Sequence, residues 1–345
     1  MTDDTTGSSR AADAAAVDLL VRTYPPELVD AVIASCGRTE RQRRLLPARR
    51  MVYFVLGMAL FSPDPYLDVM RRLEGGLRQA GLSQPGPAAG KAAIFQARER
   101  LGSGPLEELF RTAPRPSAAV PRAADPQWRG RPLRLLTEHR TAPTERTGPA
   151  PRLPVAGLVD CATGEILDAL WDEAGAPATL LRSVEPGALL VSDGPAPDRG
   201  MAAAAAARGL GTVWRLPTAR LPLQPERRLP DGTFLVRPRG LPLRVIGPGT
   251  VTNLLDPAQA PADELLDAVA AAARRSPALG RALLASGPAA APLTSRTPDG
   301  IDQELYGRLL VHNSNHAGAS DRLAPGTGQA RLVSTCNENA SLRFG

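Results

Sequence analysis

The sequence has little of what builds disulfide-bonded or membrane-spanning proteins. Its three cysteines, Cys36, Cys161 and Cys336, are odd in number and far apart, so they predict neither a disulfide framework nor a zinc site. The longest apolar run, residues 51–61, is about half of the ~20 residues that a bilayer span requires. Residues 1–16 lack a basic start followed by an apolar block, which predicts no signal peptide. We expect a soluble cytoplasmic protein without a membrane partner.

Aromatic residues and lysine are also scarce. Aromatics make up 4% of the chain, Lys91 is the only lysine, and arginine carries most of the positive charge. The net charge of +6 favours a polyanionic partner such as DNA, although a solvated basic surface explains the composition equally well. With 345 residues, 43% of them hydrophobic, the chain is long enough for two domains with real cores.

Apolar residues recur at helical spacing through the first third of the chain. The pattern predicts helices after Pro25, over residues 47–61, after Asp64, over residues 90–101 and after Pro105. The helix at 90–101 carries Lys91, Gln96, Arg98 and Arg100, and it could lie in a DNA groove. An ordinary surface helix with a solvated charged face is the competing interpretation.

Short apolar runs of strand character follow a stretch rich in Pro, Ala and Arg. Strands are predicted at 133–137, 154–160, 165–171, 188–192 and 211–216, with a β meander at 234–254. Helical periodicity returns at 200–208, 262–275 and 298–310. We therefore predict a flexible tail at residues 1–20, a helical and DNA-binding domain at 21–112, a linker at 113–130, an α/β domain at 131–316 and an irregular tail at 317–345.

Several segments resemble the insertion-sequence-4 family of transposases. They are YPPELVD at 24–30, GRTERQRRLLPAR at 37–49, VYFVLGMALFS at 52–62, residues 92–102, LLVSD at 189–193, VWRL at 213–216 and SRTPDGIDQE at 295–304. The resemblance covers most of residues 20–312, in order. It implies a ribonuclease-H-like α/β domain, with the β meander as an insertion, behind an all-helical N-terminal domain.

The resemblance also implies DNA cutting by two aspartates and a glutamate that hold two Mg²⁺ ions. Carboxylates suit Mg²⁺ because this ion prefers hard oxygen ligands in strict geometry. Asp193 falls on the second aspartate, just past an apolar strand, although a turn or helix-capping aspartate is the alternative. Glu138 follows the strand at 133–137, where the first aspartate is expected, and its additional methylene displaces the carboxylate by roughly 1 Å.

The third acid is missing from its expected position. The family's tyrosine, arginine, glutamate and lysine fall on Val269, Ala272, Ser276 and Leu283, and Pro277 is expected to break the helix there. The three histidines, His139, His312 and His316, look too scattered for a metal cluster and are interpreted as surface residues.

Three functions therefore compete. The chain is a transposase of an insertion sequence made inactive by its incomplete acidic triad, a DNA-binding remnant or regulator without enzyme activity, or a decayed coding sequence with no selected role. The missing arginine, glutamate and lysine argue against active transposition by Glu138 and Asp193. We expect DNA as the partner, with a second copy of the chain or an intact related transposase as a further one.

Overall fold

The computed structural model describes residues 3–40, 42, 44–83, 87–115, 126–141, 153–171, 177–194, 198–216, 224–284 and 292–322, with backbone alone at 3–9, 239 and 317–322. The chain begins with six helices: α1 Asp3–Thr23, α2 Pro26–Ser35, α3 Ala48–Leu60, α4 Tyr66–Gln79, α5 Lys91–Leu101 and α6 Gly104–Thr112. Proline at the first position of α2 suits the helix start, and Gly37 with φ +65° ends the segment. The predicted helices α2 to α6 are confirmed.

The first helix, α1, corrects the prediction of a flexible tail over residues 1–20. Val17 and Leu20 are buried in the core of the helical region, and Arg72 Nε donates to Asp13 Oδ2 over 2.9 Å. Close packing against α4 places Gly76 so near Val17 that there is no room for a side chain. The local sequence shows no clear periodicity, so only the contact with α4 reveals this helix.

Within the described residues, ten strands form one mixed sheet in the order β4-β3-β2-β5-β6-β10-β9-β8-β7, with β1 paired to β2. The strands are β1 Gln127–Trp128, β2 Arg131–Arg140, β3 Pro154–Asp160, β4 Ile166–Leu170, β5 Leu189–Ser192, β6 Gly211–Arg215, β7 Arg227–Arg228, β8 Phe234–Val236, β9 Leu243–Gly247 and β10 Thr250–Thr252. Strand β5 is parallel to both β2 and β6, whereas the other neighbours in this order pair antiparallel. The predicted mixed α/β architecture and the meander are confirmed.

Helices cover the two faces of the sheet. The remaining helices are α7 Arg199–Ala207, α8 Ala262–Ala273, α9 Pro277–Leu283 and α10 Pro298–Arg322. Leu135 and Val191 pack into the core that contains α8, α9 and the helical region. Leu136 and Leu190, their neighbours along the strands, pack instead with α7 and a 3-10 segment at Pro177–Ser183. The sheet therefore alternates its side chains between two apolar layers, as a strand buried on both faces must.

Helix α10 joins the helical region to the sheet. Tyr24 Oη donates to the Leu310 carbonyl over 2.7 Å, and Asn313 Oδ1 accepts from the backbone of Ile166 in β4 over 2.9 Å. Helix α10 continues to Arg322, six residues beyond the predicted end of the ordered domain. Residues 323–345 of the predicted tail and 116–125 of the predicted linker lie outside the described residues.

Candidate functional site

Strands β2 and β5 lie side by side and parallel. Leu133 pairs with Leu189 and Leu136 pairs with Ser192. Asp193 follows β5 directly, and its backbone N–H donates to the Leu136 carbonyl over 3.1 Å. Glu138 is still inside β2, paired with Ala156 of β3, two positions beyond the residue of β2 that Asp193 contacts.

The Asp193 carboxylate contacts Ser276. Ser276 Oγ donates to Asp193 Oδ2 over 2.6 Å, whereas Asp193 Oδ1 is buried and has no hydrogen-bond partner among the described residues. Helix α8 ends at Ala273 and α9 begins at Pro277, so the helix breaks there as the sequence predicts. The residue expected at the position of the third acid thus reaches Asp193 with a neutral hydroxyl.

Strand alternation favours Thr137 over Glu138 as the residue beside Asp193. Successive side chains of a strand point to opposite faces, so Thr137 shares the face of Leu133 and Leu135, which α8 and α9 cover. Thr137 is 3% exposed, whereas Glu138 is exposed. Alternation assigns the side chains of Glu138 and Asp193 to opposite faces of the sheet, which weighs against the expectation that they form one metal site.

Polar contacts also fix the junction between α8 and α9 on its other side. Arg275 Nε donates to the Cys161 carbonyl over 2.9 Å, and Arg275 Nη2 donates to the Ala162 carbonyl over 2.6 Å. Burial raises the pKa of the Cys161 thiol to about 12, with Asp160 adding to the effect. The junction is thereby tied both to the end of β5 and to the turn between β3 and β4.

This donor set does not fit a centre that holds two divalent cations. Such a centre needs carboxylates at fixed points, but the side chain that contacts Asp193 is the neutral hydroxyl of Ser276. Alternation assigns a second neutral hydroxyl residue, Thr137, to the same face of the sheet. Within the described part of the chain, no group of three His, Cys, Asp or Glu side chains could hold a metal ion.

The histidines are less scattered than the sequence suggests. His312 and His316, one turn apart on α10, have ring centroids 4.5 Å apart, and His312 Nε2 lies 3.0 Å from the Gly164 carbonyl oxygen. Burial, followed by the neighbouring His316, lowers the pKa of His312 to about 4. His139 lies elsewhere, against Gly280 of α9. The histidine pair is therefore part of the packing between α10 and the β3–β4 turn.

Helix α5 is the helix predicted to bind DNA, and only some of its four predicted DNA-binding residues are exposed. Lys91 and Gln96 are exposed, and Arg100 lies at the surface with Nη2 3.2 Å from Glu40 Oε1. Arg98 corrects the prediction, because its side chain is buried and donates from Nε to Gln303 Oε1 over 2.9 Å. Its Nη1 and Nη2 atoms donate to Tyr66 Oη over 2.7 Å and to Ser295 Oγ over 3.0 Å.

Sequence reasoning missed two features of these surfaces. The alternation along β2 could have identified Thr137, because Leu133 and Leu135 already mark the face that it shares. No local signal identifies the burial of Arg98, since its partner Gln303 lies 205 positions further along the chain.

Comparisons with known proteins find a match in the N-terminal part of the chain. Residues 14–111 match the family described as insertion element 4 transposase N-terminal. Over 108 residues the chain is 33% identical to the transposase InsG for insertion sequence element IS4 of Escherichia coli (strain K12). That match covers 30% of this chain and 22% of the relative, so it spans well under half of either protein. No helix in the described part is long and apolar enough to cross a membrane.

Proposed function

We propose that this chain, whose N-terminal region belongs to the insertion element 4 transposase family, is an insertion-sequence protein that binds DNA but does not cut it. One observation carries the proposal: the hydroxyl of Ser276, rather than a carboxylate, meets Asp193. Within the same proposal, strands β2 to β6 with α8 and α9 form a ribonuclease-H-like unit, and Asp193 holds its second acidic position. The strand order β4-β3-β2-β5-β6 supports that assignment.

The loss of charge at the site argues against strand cleavage. A serine or threonine hydroxyl brings no negative charge, and Mg²⁺ gives up its water ligands reluctantly. Charge-stabilising groups aimed at a developing phosphoryl charge commonly contribute about 3–4 kcal/mol each to catalysis. A site with one carboxylate on the shared face therefore lacks both the means to hold paired cations and the stabilisation that they supply.

The exposed face of α5 is the proposed DNA-binding surface. Lys91, Gln96 and Arg100 lie on it, whereas Arg98 is removed from it by burial. Cations at a surface bind phosphates largely by releasing counterions, so we expect binding that weakens steeply with salt. The contact set is small, and we therefore expect weak sequence preference.

Plasmid nicking tests the absence of cleavage. The full chain is incubated with supercoiled plasmid that carries the element's own ends, with Mn²⁺ as the permissive metal. We expect no nicking above the control without protein. Metal-dependent nicking that disappears in Asp193→Ala would overturn the proposal.

Gel-shift affinity of the full chain tests the DNA-binding surface. The full chain is required because α1 and α10 pack on the helices around α5. Lys91→Gln should weaken binding and lower the slope of log affinity against log salt by about 1. Arg22→Gln on α1, where the side chain is 68% exposed, is the matched control and should change neither. Affinity that ignores salt, or an equal loss in both variants, contradicts this surface.

A further inference from the structure

We propose that Asp193 is the remaining part of a latent cation site, in which Thr137 and Ser276 stand where two further carboxylates would complete it. In the chain as it is, Asp193 anchors the α8–α9 junction to the sheet and binds no divalent cation. The inference deepens the proposed function, on which it rests, by stating which two side chains keep the site closed to metal.

The first step is that the two carboxylate oxygens of Asp193 differ in their hydrogen bonding. Oδ2 accepts the Ser276 hydroxyl over 2.6 Å, so this oxygen holds the junction in place. Oδ1 is buried without a hydrogen-bond partner in the described part of the chain. A buried carboxylate oxygen normally has a partner, and its absence here leaves one oxygen able to take a ligand.

The second step is the placement of Thr137. The parallel register pairs Leu135 with Val191 and Leu136 with Ser192, and continuing it by one residue sets Thr137 opposite Asp193. Both side chains then face α8 and α9, on which side Ser276 lies. Glu138 takes the other face by alternation. Asp193, Thr137 and Ser276 are thus the residues that converge, and two of them are neutral.

The third step is charge. One carboxylate with two neutral hydroxyls offers a single negative charge, which does not displace water from Mg²⁺ or Mn²⁺. Carboxylates at 137 and 276 would raise the count to three and would remove the hydroxyl that now occupies Oδ2. We therefore expect that the two substitutions Thr137→Asp and Ser276→Glu together create a metal site.

Binding of Mn²⁺ alone, followed by calorimetry and by the electron paramagnetic resonance of free Mn²⁺, tests the proposal. The variant Thr137→Asp/Ser276→Glu should bind Mn²⁺ at least tenfold more tightly than the unmodified chain. Glu138→Asp/Ser276→Glu is the matched control, since its carboxylate lies on the opposite face, and it should gain no such affinity. Folding of each variant is checked by circular dichroism.

Three results would overturn the proposal: Mn²⁺ binding by the unmodified chain that Asp193→Asn abolishes, equal gains in the two double variants, or a folded Thr137→Asp/Ser276→Glu that does not bind Mn²⁺. If that variant fails to fold, amide hydrogen exchange of Ser276→Ala decides the anchoring role. Exchange at residues 274–284 should accelerate about fivefold, corresponding to ~1 kcal/mol for one lost hydrogen bond, and unchanged exchange there rejects the anchor.

These outcomes are independent of the proposed function. Plasmid nicking by the unmodified chain would reject the inactive transposase, whereas the Mn²⁺ affinities of the variants judge the latent site alone. DNA binding should persist in both double variants, because α5 lies away from the end of β5.

Discussion

The helical region and the end of β5 differ in how closely each agrees with the family resemblance. The helical region has the expected helices, whereas the end of β5 lacks one of the expected acids. Residues 14–111 match the family, and α3 and α4 bury a dense apolar core that includes Phe54, Leu56 and Leu73. At the end of β5 only Asp193 remains of the expected acids. Apolar packing tolerates many substitutions that conserve volume, whereas metal binding requires particular atoms at particular points. The apolar core of a fold therefore tolerates more sequence change than a metal site does.

The comparison is least simple at Arg98, where the helical region also depends on particular polar atoms. Arg98 lies in the buried contact between α5 and α10, within 4.0 Å of Glu304. Glu304 in turn accepts from the backbone N–H groups of Thr294 and Ser295, each over 2.8 Å. This network is as specific in geometry as a catalytic site, but its role is to hold α10 in place.

Substitution of Arg98 should cause the largest loss of stability among these predictions, and it tests whether the helical region depends on particular polar atoms. Arg98→Ala leaves the buried Glu304 without its neighbouring cation and Gln303 Oε1 without its donor, and we expect the free energy of unfolding to fall by about 3–5 kcal/mol. Chemical denaturation measures the loss. Arg100→Ala, on the same helix but at the surface, should lose less than about 1 kcal/mol. Similar losses in the two variants would show that the buried network contributes little.

Acid should weaken the joint between the two regions through His312. Burial lowers the pKa of His312 from 6.5 to about 4, so between these values the unfolded chain binds the proton and the folded chain does not. Stability from this group is present above pH 6.5 and is lost as the pH falls towards 4, by up to roughly 3 kcal/mol. The pH dependence of unfolding should flatten in His312→Asn over this window. A parallel dependence in that variant would assign the effect to other groups.

A methyl group at Gly76 should test whether α1 belongs to the core of the helical region. A Cβ there would lie 2.5 Å from Val17 Cβ, and overpacking of this kind costs about 1–3 kcal/mol. Gly75→Ala is the matched control, because nothing lies within 4 Å of its Cβ, and it should be neutral or stabilising by up to about 1 kcal/mol. Thermal unfolding of both variants gives the difference. Equal stability of the two variants would show that α1 is not packed against the core of the helical region.

The sequence predicts the regular elements well because their signals are local. Prolines at the starts of α2 and α6 and glycines after α2 and α5 mark helix boundaries within one or two residues of those observed. The pairing of β2 with β5 also follows, since two apolar strands in this type of architecture adjoin. The α8–α9 break follows from Pro277 alone.

The candidate site could be predicted only in part. Asp193 and Ser276 are expected to approach each other from the family resemblance, and they are in hydrogen-bond contact. Glu138 is expected as the first ligand because it is the acid that follows the strand at 133–137, where the resemblance implies an aspartate. The positions of α8 and α9 show which face of the sheet Asp193 points to. Alternation along β2 assigns Thr137, and not Glu138, to that face.

The amino-acid sequence by itself determined the helices, the strands and the absence of the third acid, because periodicity and residue identity are properties of short segments. Tertiary structure alone decided that α1 is packed, that Arg98 is buried and that α8 and α9 cover the face of the sheet to which Asp193 points. Each of these depends on a partner distant in the chain: α4 for Val17, α10 for Arg98 and the α8–α9 junction for Asp193. Covalent geometry fixes which residues share a face, but long-range packing fixes what that face meets.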